Sequence, residues 1–207
     1  LNYATEANGI QIGLINLARD FKGAPVGLFS IYGNGRKNID MRFSDAGFTD
    51  FAITTGTHRI YNSAIFGYNT QLDRNVYRIG AAIGLEKNIN DSFKSIESEQ
   101  LFINQEFSVL HHFEESWNRK TNLIYSYKYL LGLRLNSGLS IYGGPSYNMQ
   151  VTRVNSANEY TWYSLWSPER KGRQYRFWVG FTAGIRLFKQ KNLPILRGSD
   201  FDFENEW

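Results

Sequence analysis

Alternation of apolar and polar positions is the clearest signal along the chain. From Asn122 to Leu135 the odd positions Leu123, Tyr125, Tyr127, Tyr129, Leu131, Leu133 and Leu135 are apolar, and the even positions include Ser126, Lys128, Gly132 and Arg134. Side chains of a strand point alternately to two faces, so this pattern predicts a β-strand with one wholly apolar face. The next stretch repeats it, with Leu139, Ile141, Pro145, Tyr147, Met149 and Val151 opposing Ser140, Tyr142, Gly144, Ser146, Asn148 and Gln150. Asn136-Ser137-Gly138 between the two predicts a tight hairpin. The same alternation runs through Tyr175–Leu187, Tyr77–Leu85 and Leu101–Val109. Shorter stretches at 37–44, 48–56 and 60–69 bring the expectation to about eight strands.

Length and the character of the polar face point to a membrane. Strands of soluble domains usually run about 5 to 6 residues, whereas three of these alternations are more than twice as long. Their polar face is rich in Gly, Ser, Asn and Gln, which suits a crowded interior better than a solvated exterior. An apolar face outside and a polar face inside is the membrane-barrel pattern. The expected fold is therefore an all-β, antiparallel transmembrane β-barrel of the bacterial outer membrane. Its rival is a soluble barrel or sandwich whose apolar face is the core. With the last strand ending in the periplasm near Phe188, the long loop at 154–172 faces outside and Asn136-Ser137-Gly138 is a periplasmic turn. The long connection at 88–99 fits that orientation less well.

The first residues behave differently. Gly9-Ile10-Gln11-Ile12-Gly13-Leu14-Ile15-Asn16 recurs 14 positions later as Gly23-Ala24-Pro25-Val26-Gly27-Leu28-Phe29-Ser30. The same offset sets Leu1-Asn2-Tyr3-Ala4 over Ile15-Asn16-Leu17-Ala18 and Glu6 over Asp20. The chain opens in mid-repeat, so further copies are expected upstream. One strand per repeat favours parallel stacked coils, where every copy meets the same surroundings. The other possibility is that these are simply the first barrel strands. The expected organisation is a glycine-rich repeat segment at 1–33, a barrel at 34–188 and a periplasmic tail at 189–207.

This glycine-bounded repeat resembles the surface repeat of a family of outer-membrane proteins from Bacteroidota and spirochaetes. In that family, as here, the last repeat carries proline, reading Ala24-Pro25-Val26-Gly27-Leu28. It then runs into a segment like Gly33-Asn34-Gly35 and a stretch like Thr55-Gly56-Thr57-His58-Arg59-Ile60-Tyr61-Asn62. The likeness covers roughly residues 1–70. It implies location and architecture, and carries no reaction or catalytic residues with it.

Composition narrows the chemistry. There is no cysteine, which removes disulfides, thiolate metal sites and cysteine nucleophiles. Aromatic residues reach 16%, with Phe and Tyr well ahead of Trp, as strands and the interface girdles of barrels favour. The net charge of +4 is mild and its bases are scattered, so no nucleic-acid partner is expected. No phosphate loop, dinucleotide fingerprint or zinc-protease motif is present, and no cofactor or metal is expected. His111 and His112 are neighbours on a strand and point to opposite faces. Glu106, Ser108 and His112 share a face, but residues two apart on one strand lie about 6.5 to 7 Å apart, too far for a hydrogen-bonded triad.

Three residue sets remain as functional candidates. The first is a charge cluster in the lumen: Glu106, Lys128, Arg78, Arg134 and Arg176. A simple register places Glu106 opposite Ser126 and diagonal to Lys128, with Arg78 in similar reach. Barrels of about eight strands have interiors that side chains fill, so the cluster reads as a plug of ion pairs rather than a channel lining. The second is a surface set in the long loop, Arg170, Lys171 and Arg173 beside Trp162 and Trp166, which suits lipid phosphates or glycans. The third is the acidic tail, whose Phe201, Phe203 and Trp207 suit docking to a partner. The expected role is a non-enzymatic structural or accessory subunit of a cell-envelope assembly, in contact with outer-membrane lipids and other envelope proteins. The alternatives are a small-solute channel and a lipid-modifying enzyme using Ser108 or a histidine.

Overall fold

The computed structural model describes residues 1–89, 101–114, 122–153, 160–161 and 163–188. Three parallel strands come first: β1 (Asn2–Ile12), β2 (Ile15–Val26) and β3 (Phe29–Tyr32). Seven strands follow in antiparallel succession: β4 (Arg36–Ser44), β5 (Phe48–Gly56), β6 (Ile60–Asn69), β7 (Val76–Asn88), β8 (Leu101–Glu114), β9 (Asn122–Asn136) and β10 (Leu139–Thr152). A two-residue strand β11 (Glu169–Arg170) and the long β12 (Arg173–Phe188) complete the fold.

The antiparallel strands ring round. β12 pairs with β10 from Gln174↔Thr152 to Leu187↔Leu139, and with β4 from Thr182↔Ser44 to Phe188↔Asn38. Strands β4–β10 and β12 thus form a closed circuit of eight. A circuit of this kind has no free edge, and every strand finds a hydrogen-bonded neighbour on each side. The Ser137-Gly138 turn joins β9 to β10 as a two-residue hairpin. Pro145 lies mid-strand in β10, and there the register to β9 passes from Gly143↔Leu131 to Ser146↔Lys128 without paired residues between. A proline has no N–H to give the ladder, so this gap follows from its chemistry.

Alternation sorts the ring into two surfaces. The polar set of each strand is buried inside: Asp40 and Arg42 on β4, Glu106 and Ser108 on β8, Lys128 on β9, Gln150 on β10 and Arg186 on β12. The apolar set points outward and stays exposed, including Ile39, Phe51, Phe66, Ile79, Phe107, Leu131, Tyr147 and Phe181. Glycines on the inner face make room for rings. A Cβ on Gly84 would overlap the Tyr61 ring, one on Gly132 the Phe102 ring, and one on Gly184 would crowd the Tyr142 ring. Each glycine is the register partner of the aromatic residue it accommodates. Gly84→Ala is therefore expected to displace Tyr61 and cost about 1–3 kcal/mol by overpacking. A thermal unfolding experiment should show this loss, and a Gly84→Ala variant as stable as the parent would contradict this packing.

The parallel strands stack at the 14-residue offset of the repeat, with Asn2↔Asn16, Glu6↔Asp20, Gly9↔Gly23 and Ile12↔Val26, then Ile15↔Phe29 and Ala18↔Tyr32. The side chains between the legs of each coil form a ladder. Asn2 Nδ2 donates to Asn16 Oδ1 (2.8 Å), Asn16 Nδ2 to Ser30 Oγ (3.2 Å), and Asn62 Nδ2 of the ring to the same Ser30 Oγ (3.0 Å). Ala4, Ala7, Ala18, Phe21 and Tyr32 make the apolar filling. Gly9 (φ 98°) and Gly23 (φ 141°) bend the legs, and a Cβ on Gly23 would strike the Gly9 backbone. The recurring glycine is thus required by backbone angle at both positions and, at Gly23, by stacking distance as well.

Candidate functional site: the charge network inside the ring

The interior holds an ion-pair network built from alternate positions on five strands, β4, β7, β8, β9 and β12. At one end Glu86 on β7 is shared among three arginines. Arg36 Nη1 donates to it at 2.9 Å, Arg134 Nη2 at 2.7 Å and Arg186 Nη1 at 2.6 Å. Arg186 also reaches Asp40 on β4, through Nε at 3.0 Å and Nη2 at 3.2 Å. Asp40 takes a further bond from Arg42 Nη2 at 3.0 Å, and Arg42 Nη1 continues to Glu106 Oε1 at 2.7 Å. Lys128 Nζ closes the chain on Glu106 Oε1 at 3.0 Å. Phenol groups trim the remaining lone pairs: Tyr61 donates to Glu106 Oε2 (3.2 Å) and Tyr142 to Asp40 Oδ2 (3.3 Å). Arg186 sits among the rings of Tyr61, Phe102 and Tyr142, its guanidinium carbon 5.2 Å from the Tyr142 centroid. Unpaired buried charges are costly, and here each carboxylate is matched by at least two cations.

A second pair stands apart. Arg78 on β7 grips Asp50 on β5 with two bonds of 2.6 Å, reaching across β6. Gly67 is the register partner of both, and a Cβ there would overlap the Asp50 carboxylate and crowd Arg78. The missing side chain on the middle strand is what lets the pair form. Beside it a cavity of about 20 Å³, lined by Arg78, Asp50, Ser126, Lys128 and Asn148, has room for a water molecule.

The structure brings Glu106 and Lys128 together, but three expectations need correction. Glu106 lies directly opposite Lys128, with Ser108 opposite Ser126, so the register differs from the one that set Glu106 against Ser126. Arg78 is not on Glu106, because its side chain turns to Asp50 through the gap at Gly67. The five expected lumen charges are not one cluster either: Glu106, Lys128 and Arg134 belong to one network, whereas Arg78 pairs with Asp50 and Arg176 donates to the Thr161 carbonyl at 3.4 Å. Sequence reasoning missed Arg36, Asp40, Arg42, Asp50, Glu86 and Arg186 as members. The signal for Arg186 and Glu86 was present in the parity of their strands. The signal for the Arg78 pair was an acid, a glycine and a base at matching heights on three successive strands.

Ser108 is fully buried, and Lys128 Nζ is its neighbour at 3.5 Å. His112 is buried between Phe48 and Tyr160, with ring centroids 4.9 and 5.3 Å away. The Tyr160 phenol donates to Glu114 at 2.6 Å, and burial followed by that bond pushes its pKa up. In the surface set Arg170 pairs with Arg173 around the Lys171-Gly172 turn of the β11–β12 hairpin, and Trp166 is exposed and stacked on Phe177 at 5.2 Å. Trp162 and the tail residues Phe201, Phe203 and Trp207, with all of 189–207, lie outside the described residues, as does most of the 88–99 connection. Compared with protein-family models, curated proteins and solved structures, the chain shows no match.

Proposed function

We propose that the ring is an outer-membrane β-barrel, and that the chain serves as a non-enzymatic structural or accessory subunit of a bacterial cell-envelope assembly. The observation that carries the membrane reading is the inversion of the ring: ion pairs are buried within while large apolar side chains such as Ile39, Phe51, Phe66 and Leu131 are about half exposed outside. In water such a surface is an aggregation liability, and in lipid it is the solvated face. Strands β7–β10 and β12, of 13 to 16 residues, exceed the roughly 9 to 11 that a tilted strand needs to cross the hydrocarbon. The likeness of the repeat to the surface-repeat family points the same way. The accessory role is supported by an interior occupied by the network, which leaves solutes little room. Outer-membrane lipids are the immediate partners, and other envelope proteins are the proposed further ones.

A closed hydrogen-bonded ring in detergent should run as a compact band in electrophoresis without boiling and shift on heating. A protein that stays dispersed without detergent would sink the membrane reading. In planar bilayers the protein should give no conductance steps, and regular steps would replace the accessory role with that of a channel.

A further inference from the structure

Each coil of the parallel stack folds back at one end, around Gly13-Leu14 and Gly27-Leu28, so that Asn2 Nδ2 reaches the Ile12 carbonyl at 2.6 Å. Both legs carry apolar side chains on their outer surfaces near this turn. Ile12 and Leu14 are 71 and 76% exposed, and Ile15, Val26 and Ile31 are exposed beside them, while the exposed Ile10 lies nearer the Gly9 bend. The charges of the stack, Glu6, Arg19, Asp20 and Lys22, sit towards the opposite end. The polar ladder lies within. The stack thus repeats the inversion seen in the ring, polar inside and apolar outside, but only at its turn end.

That end is also the part held against the ring. Asn62 Oδ1 accepts from Gly27 N (3.4 Å), Asn62 Nδ2 donates to the Pro25 carbonyl (3.3 Å), and Thr55 Oγ1 accepts from Ser30 N (2.9 Å). Thr55 and Asn62 are register partners on the outward side, in the same row as Ile53, Ala64, Phe51 and Phe66. The stack therefore docks on the outer wall, not in the lumen. On the β4 side the apolar belt ends at this level, since the outward partner of Thr55 there is the exposed Lys37. Across the β6–β7 ladder the partner of Asn62 is Ile83, another exposed apolar residue. Through the bonds of Gly27 and Pro25 to Asn62, the turn end is held beside the exposed Ile83, and the belt continues past it on that side.

We infer that the turn end of the parallel stack is a second lipid-contacting element, a lateral foot inserted among the acyl chains of the leaflet that meets this end of the ring. This rests on the membrane reading of the ring. Placement level with Lys37 makes the insertion shallow, about 5–10 Å into the boundary between headgroups and acyl chains. The charged end of each coil stays in water. Lipid, rather than a second protein, is favoured by that continuity and by the segregation of charge along the coil.

The absence of cysteine permits a direct test on the full chain. Ile12→Cys, Arg19→Cys and, as a belt reference, Phe66→Cys would each carry a polarity-sensitive fluorophore. Each would be refolded into phosphatidylcholine–phosphatidylglycerol vesicles with nitroxide-labelled acyl chains. Labels at 12 and 66 should both shift to the blue and lose fluorescence to the nitroxide, and the label at 19 should do neither. Quenching at 66 but not at 12 would overturn the foot and leave the ring reading standing. A label at 12 that is shielded without quenching, in a protein that runs as a dimer, would mean that a second copy covers the tip. Quenching at neither 66 nor 12 would overturn the foot and the membrane reading together.

Discussion

Glu106→Leu is expected to be the most damaging single change inside the ring, and removing Lys128 as well is expected to restore part of the loss. Glu106 is fully buried and accepts from Arg42 at 2.7 Å, Lys128 at 3.0 Å and Tyr61 at 3.2 Å. Its network sets three carboxylates, Asp40, Glu86 and Glu106, against five cations, Arg36, Arg42, Lys128, Arg134 and Arg186. Carboxylates are the scarce component, so losing one strands more charge than losing one cation. Without Glu106, Arg42 keeps Asp40, but the Lys128 ammonium retains only the Ser108 hydroxyl at 3.5 Å. Breaking a buried pair from one side costs about 3–5 kcal/mol, whereas replacing the whole pair with apolar groups is often close to neutral. Glu106→Leu should therefore lower the urea midpoint in vesicles markedly, with Glu106→Leu/Lys128→Met lying between that variant and the parent. A double variant that loses the sum of the two single effects would show that the contacts act as independent attractions and not as neutralisation.

The strands were legible in the sequence because a ring with opposite polarity on its two faces writes period 2 into every long strand. Even the short β4 betrays itself, Asp40 and Arg42 alternating with Ile39, Met41 and Phe43. What alternation cannot supply is the partner. Asp40 meets Arg186 only because β12 returns to close on β4, a contact between residues 146 positions apart. The pairing of Glu106 with Lys128 depends on how the chain turns between β8 and β9, and a shift of two residues preserves the faces while changing every neighbour. Arg78 and Asp50 are not on adjacent strands at all. Their meeting depends on Gly67, which a reading of single strands counts only as a small residue. The 14-residue repeat was more informative than the strands of the ring in one respect, since its offset is also the register of its parallel pairing. That the stack leans on the outer wall was not legible, because Thr55 and Asn62 are ordinary polar residues until their outward direction is known.

The sharpest test of inside against outside compares two adjacent residues of β9. Tyr127 points outward, 41% exposed, with Phe107 and Tyr147 as its register partners on either side. Lys128 points inward and is 5% exposed. Tyr127→Arg would place a guanidinium among apolar rings in the middle of the outer face. If lipid bathes this face, as proposed, it has no counter-charge to offer there, and a cation near the bilayer midplane costs about 2–4 kcal/mol. Lys128→Leu removes a cation from a network that has a surplus of them. Glu106 keeps Arg42 and Tyr61, and the new methyl groups stand beside Ser108 and the small cavity. In refolding into vesicles, Tyr127→Arg should reduce the folded, heat-modifiable fraction at least about tenfold at matched urea. Lys128→Leu should stay much closer to the parent. In a soluble ring the order would reverse, because an arginine on a water-facing surface is harmless while loss of a buried ion-pair partner is not. Equal effects, or a larger loss from Lys128→Leu, would mean that lipid does not bathe this face.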